Sequence, residues 1–319
     1  MPGKNSASSI SNFLSAKNLV FLLWIVAAFA VGYIVNYYNL FNMNDRLGLE
    51  KKVTSTSAET ANSQTTVQDL TEIVAPHEGY TVKISWGDTG KKLVSAGGID
   101  MQKYTQNYTS EKDKQLLTYL TETNLDTITI NRENAYFWVN TLWALGLTDY
   151  STVLADGVMG TEYKDKVGGF ASTGGWTLGA KPGADLFASS EIIPLTAEQE
   201  AQIMRVAENV YRPCCGNSVA FPDCNHGMAI LGLLSLMARD GYSDEEMYDA
   251  SLAFNSYWFT STYVDLAYYF QTKESTPWDK VDSKRALSVD FSSGTGYQNI
   301  KKQIGTIPGS QSGGASCGA

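Results

Sequence analysis

Seventeen consecutive uncharged, mostly apolar residues, LVFLLWIVAAFAVGYIV at positions 19–35, restrict this chain more than any other feature. A helix rises about 1.5 Å per residue, so about 20 such residues cross the roughly 30 Å hydrocarbon layer of a bilayer. Tyr37 and Tyr38 supply an interfacial end. The following NYYNLFNMND has no small-x-small cleavage site, which favours an uncleaved anchor over a signal peptide. The reading is a tail at 1–18 and a single transmembrane helix at 19–38. Lys4 and Lys17 precede the span while Arg46, Lys51 and Lys52 follow it, so basic residues alone leave its orientation open. Beyond it, VTSTSAETANSQTTVQ is rich in small polar residues and reads as part of a solvated stalk at 39–68. A stalk of this kind implies a body held off the membrane, expected on the extracytoplasmic side.

The chain has 319 residues and a net charge of -9, with the acids scattered, which disfavours a phosphate-backbone partner and argues against nucleic acid. From Asp69 onward helical signals dominate, so the expected fold class is mainly α. Residues 69–184 read as a helical domain with a glycine-rich loop. Short helical segments over 88–123 break at Gly97-Gly98, and AYFWVNTLWALGL at 135–147 reads as a core helix with Asn131 as its N-cap. GGFASTGGWTLGAKPGA at 168–184 carries six glycines and one proline, which points to a surface loop or, given Phe170 and Trp176, an aromatic-tipped lid.

Residues 185–304 read as a helical Cys/His domain, a three-helix unit at the end of the body. Thr196 to Gln199 forms a capping-box pattern opening a helix to about Val210. Asp223 suits the N-cap of a second helix running to Gly241, and Ser243 to Glu246 is another capping box. That third helix runs toward Tyr257 and continues, after a break near Thr260 and Ser261, through Phe270. Capping accounts for Asp244 and Glu246 better than acid-base catalysis does. Residues 305–319 end in GSQSGGASCGA, a flexible Gly/Ser/Cys tail.

Between the first two of these helices lies YRPCCGNSVAFPDCNHG, 211–227, which gathers Cys214, Cys215, Cys224 and His226. A helix start stabilises a thiolate through its dipole and free N–H groups, so Cys224 is expected to have a lowered pKa. Three thiolates and an imidazole form a soft donor set suited to Zn²⁺ or Cu(I). Adjacent cysteines depart from the usual zinc spacing, and this keeps two alternatives open: thiol-disulfide exchange on a protein client, or a disulfide that fixes the loop. Cys317, on a tail of about 15 residues, has the reach to serve as a resolving thiol or metal carrier. His77 in VAPHEGY lacks clustered partners and reads as a loop residue.

The segment 196–258, with Tyr211-Arg212-Pro213-Cys214-Cys215 after one helix and Gly241-Tyr242-Ser243-Asp244-Glu245-Glu246-Met247 after the next, resembles the CcmH-type thiol oxidoreductases of cytochrome c maturation. Their pattern is Leu-Arg-Cys-Pro-x-Cys, a helix, then Gly-x-Ser-Asp-x-Glu-Ile, and Cys214 aligns with the second cysteine. The resemblance implies a membrane-anchored three-helix domain that reduces cysteine pairs of apocytochromes. The full chain is similar to uncharacterised membrane-anchored bacterial proteins. No Walker loop, dinucleotide fingerprint, serine elbow or CxxCH is present. The leading expectation is an anchored, extracytoplasmic soft-metal protein with Cys214, Cys215, Cys224 and His226 as ligands, exchanging its ion with a metal donor or acceptor.

Overall fold

A computed structural model describes residues 65–123 and 125–310. The expected tail at 1–18, the anchor at 19–38, nearly all of the stalk and Cys317 lie outside the described residues. Among the described residues no helix is long and apolar enough to cross a membrane.

The protein is mainly helical. Its longer helices are α1 (Val67–Val74), α2 (Thr89–Ala96), α3 (Ala135–Thr148), α4 (Ala197–Ala207), α5 (Asn225–Arg239), α6 (Asp244–Trp258), α7 (Thr260–Lys273) and α8 (Gly294–Ile304). Two three-residue strands, β1 (Tyr80–Val82) and β2 (Ile128–Ile130), pair antiparallel with Tyr80 opposite Ile130. Capping boxes at Thr196 and Ser243 start α4 and α6 where their patterns predict them. Each satisfies two otherwise orphaned N–H groups, one through each of its side chains.

α3 and α5 form the centre. Both are buried around nearly their whole circumference, from Phe137 to Thr148 and from His226 to Ala238, and they pack on each other. Their backbones approach closely at two glycines. A Cβ on Gly146 would stand 2.1 Å from the Met228 carbonyl oxygen, and one on Gly232 would stand 2.5 Å from that of Leu142. α4 packs on α5, α6 on both α5 and α7, and α7 on α1 and α8. One hydrophobic core therefore runs through both 69–184 and 185–304, with Leu142, Leu145, Leu231, Leu234 and Phe254 all inside it.

Several boundaries shift from expectation. Thr66 caps α1 in a capping box with Asp69, so Val67 and Gln68 belong to a helix and not to the stalk. The Val67 N–H donates to the Pro308 carbonyl at 3.0 Å and Ile307 is buried, so the chain up to Pro308 packs against the body before the tail begins. Asn134 takes the N-cap position of α3; Asn131 Oδ1 instead accepts from the Glu133 and Asn134 N–H groups, closing the turn that leads in. The glycine-rich stretch is not an open loop, since it contains helical turns at Ala171–Gly174 and Gly183–Leu186. Its Trp176 is buried against Trp143 and donates to the Gly98 carbonyl at 2.8 Å.

Candidate metal centre

α4 ends at Ala207, and the chain returns to α5 through the cysteine loop. The post around which this loop winds is Arg212, whose side chain is fully buried. Its Nε donates to Cys224 Sγ at 3.1 Å, its Nη1 to the Asn217 carbonyl at 2.7 Å, and its Nη2 to Asp223 Oδ1 at 2.9 Å. Asn217 Nδ2 donates to the other Asp223 oxygen at 2.7 Å, closing the ring. A buried guanidinium is tolerated only when its donors and charge are matched, and here each branch of the fork has an acceptor. Gly227 makes room for it: a Cβ there would lie 2.5 Å from Arg212 Cζ.

Cys224, not Asp223, is the N-cap of α5. Its backbone is extended (φ -121°, ψ 162°) and its Sγ accepts from the Gly227 N–H at 3.4 Å. Asp223 instead serves the arginine. The Cys215 carbonyl accepts from the Gly294 N–H at 2.8 Å, which ties the loop to the start of α8. On the opposite side the glycine-rich segment braces it, with Phe170 against Phe221 at 5.4 Å and the Ser172 N–H donating to the Asp223 carbonyl at 3.1 Å.

The loop brings three sulfurs together. Cys214 Sγ lies 3.3 Å and Cys215 Sγ 3.8 Å from Cys224 Sγ, and all three ligand atoms fall within 4.8 Å of one another. Thiolates bound to one tetrahedral ion at about 2.3 Å stand about 3.8 Å apart, so the set matches a single thiophilic ion with little movement. All three are free thiols; Cys214 is exposed, while Cys215 and Cys224 are half-buried. Hydrogen bonds from the Cys214 and Cys215 thiols, followed by the charge of Arg212, hold Cys224 well below the ordinary thiol range. The same hydrogen bonding, to Cys215 and then to Cys224, pushes Cys214 up. One thiolate is therefore ready at Cys224, and the other two sulfurs would lose their protons as an ion binds.

His226, the fourth expected ligand, is not part of the set. It sits two residues past the cap, and its ring packs against Phe259 at 4.3 Å and Trp258 at 5.6 Å. Burial lowers its pKa to about 4, so it is neutral, with Nδ1 unpartnered. His77 is exposed and remote in sequence from the cluster. Two residues whose role the sequence does not reveal are Arg212, which enters there only as part of the CcmH-like pattern, and Gly227. Their only signal is local: an arginine two positions before the cysteine pair and an acid beside the third cysteine.

Comparison with protein-family models, curated proteins and solved structures finds no match.

Proposed function

We propose that this is a membrane-anchored, extracytoplasmic protein that holds a soft metal ion, Cu(I) or Zn²⁺, through Cys214, Cys215 and Cys224. The convergence of three sulfurs on the start of α5 carries the reading. Thiolate sulfur selects soft and borderline ions over Mg²⁺ or Ca²⁺, and the exposed Cys214 side gives an ion a way in. Without His226 the protein supplies three donors, which suits three-coordinate Cu(I) directly and Zn²⁺ with solvent in the fourth place. Transfer to and from a donor or acceptor protein would proceed across that open side.

The test is anaerobic titration of the reduced full-length chain with Cu(I) and with Zn²⁺, separately, against a chromophoric chelator, with stoichiometry read by native mass spectrometry. One ion per chain is expected, with at least a tenfold loss of affinity in Cys224→Ser. Binding that survives Cys224→Ser unchanged would move the ion elsewhere and end the proposal.

Thiol-disulfide exchange with a protein client is the second reading, favoured by the two hydrogen bonds that Cys224 Sγ accepts from Arg212 and Gly227. A client trapped as a mixed disulfide in Cys214→Ser, by a chain that binds no ion, would put this reading first.

A further inference from the structure

Cys214 and Cys215 cannot comfortably bond to each other. Neighbouring Cα atoms across a trans peptide stand about 3.8 Å apart, shorter than the roughly 4.4–6.8 Å that a disulfide bridges without strain. Both trans-peptide neighbours face the same third sulfur, and the nearer contact is Cys214 to Cys224 at 3.3 Å, against 3.8 Å for Cys215. Cys214 is also the exposed member, so the side from which a small disulfide arrives is its side. The shorter contact and the greater exposure therefore favour Cys214 over Cys215 as the bridging partner of Cys224.

We propose that the site is redox-gated: a small-molecule disulfide converts Cys214 and Cys224 into an intramolecular disulfide and thereby releases the ion. This rests on the metal reading above. The Cys224 thiolate attacks one sulfur of the incoming disulfide RSSR, forming a mixed disulfide and expelling RS⁻. The Cys214 thiolate then attacks Cys224 Sγ, closing the bridge and expelling the second RS⁻. Two cysteine sulfurs are oxidised by two electrons, one RSSR is reduced to two RS⁻, and the ion is left with Cys215 as its only protein sulfur. Closure also converts the sulfur that Arg212 Nε and the Gly227 N–H hold into a neutral, weaker acceptor. The reduced form is correspondingly favoured, which makes the bridge easy to open again by excess thiol.

The experiment uses the full-length chain carrying Cys317→Ser, so that only the three loop thiols remain. It is loaded in separate arms with Zn²⁺ and with Cu(I), then treated anaerobically with oxidised glutathione, with reduced glutathione at twice the concentration as the control for competition. The bound ion is read by native mass spectrometry and the cross-link by peptide mapping. The expected result is a tenfold or greater loss of bound ion beyond the control, a Cys214–Cys224 peptide pair, an alkylatable Cys215, and an unchanged cross-link in Cys215→Ser. An ion retained with all thiols intact, a stable glutathione adduct, or a bridge using Cys215 overturns the gate while leaving the metal reading standing. A reduced chain that takes up neither ion overturns the metal reading, and the gate falls with it.

Discussion

Gly227 and Arg212 are a matched pair, one defined by a side chain that is absent and the other by one that is large and charged. On helix propensity alone, alanine at 227 would gain about 1 kcal/mol over glycine. The structure reverses that preference, because a Cβ would fall 2.5 Å from Cζ and 2.7 Å from Nε of a guanidinium locked by its own hydrogen bonds. Gly227→Ala is therefore expected to destabilise the reduced protein by about 1–3 kcal/mol, as overpacked sites do. Urea unfolding of the reduced chain measures it, and a gain in stability would mean that Arg212 can retreat at no cost. At this scale the cysteines were legible because they lie close in sequence and a short loop must bring them near. His226 was not, because a helix turns each successive residue by about 100°, so two positions past the cap its ring faces the aromatic wall and not the sulfurs. The cap itself was misassigned to Asp223, a stronger capping type than cysteine. Nothing local shows that the acid is already engaged by a buried arginine, a residue type expected at the surface.

Between elements, the decisive contact is the crossing of α3 and α5. Gly146 and Gly232 let the two backbones touch, and a methyl at Gly146 would meet both the Met228 carbonyl oxygen and, at 3.0 Å, the Gly232 nitrogen. Backbone cannot yield as a side-chain tip does. Gly146→Ala should cost on the order of 3 kcal/mol, and Gly232→Ala a comparable amount. Thermal melts of the two variants check this; a melting point within a degree of the parent would show that the helices part freely. Because Met228 lies one turn from the start of α5, on the proposed metal reading Gly146→Ala is expected to lower ion affinity more than a surface variant such as Lys302→Ala does, as read by the same chelator titration. The helices themselves were readable from capping boxes and apolar spacing. Their mutual packing was not, since α3 and α5 are buried all round and so carry no one-sided stripe to say which face meets which. β1 and β2 escaped notice for a simpler reason, their three residues being too few to establish alternation.

Over the whole molecule, one carboxylate links stretches that sequence reading separated. Asp149, at the end of α3, is buried, and its Oδ1 accepts from the Ile192 and Ile193 N–H groups at 2.8 and 2.9 Å while Oδ2 has no partner. Burial is the largest influence on it and raises its pKa from 3.8 to about 7, outweighing the two N–H bonds that pull the other way. A folded pKa above the unfolded one means that the folded state holds the extra proton. The associated stability is thus full below about pH 4 and is lost as pH climbs to about 7 and beyond. At about 1.4 kcal/mol for each tenfold change in proton affinity, the rise from 3.8 to about 7 makes the swing on the order of 4 kcal/mol. Asp149→Asn keeps the acceptor and removes the titration, so the difference in unfolding free energy between parent and variant should change by that order between pH 4 and pH 8. Parallel curves across that range would refute the assignment. The mainly α character was legible from composition and periodicity. The shared core was not, because it depends on contacts such as Asp149 to Ile192 whose partners are far apart along the chain.

The sulfur of Cys224 does two jobs at one point: it begins the central helix and is the sulfur that both Cys214 and Cys215 approach. Whatever happens to that atom, whether coordination, bridging or alkylation, bears directly on the Gly227 N–H at the start of a helix that is buried from His226 to Ala238. That amide proton is consequently a spectroscopic handle placed by the fold itself, whose resonance reports the chemical state of the sulfur without any label being attached.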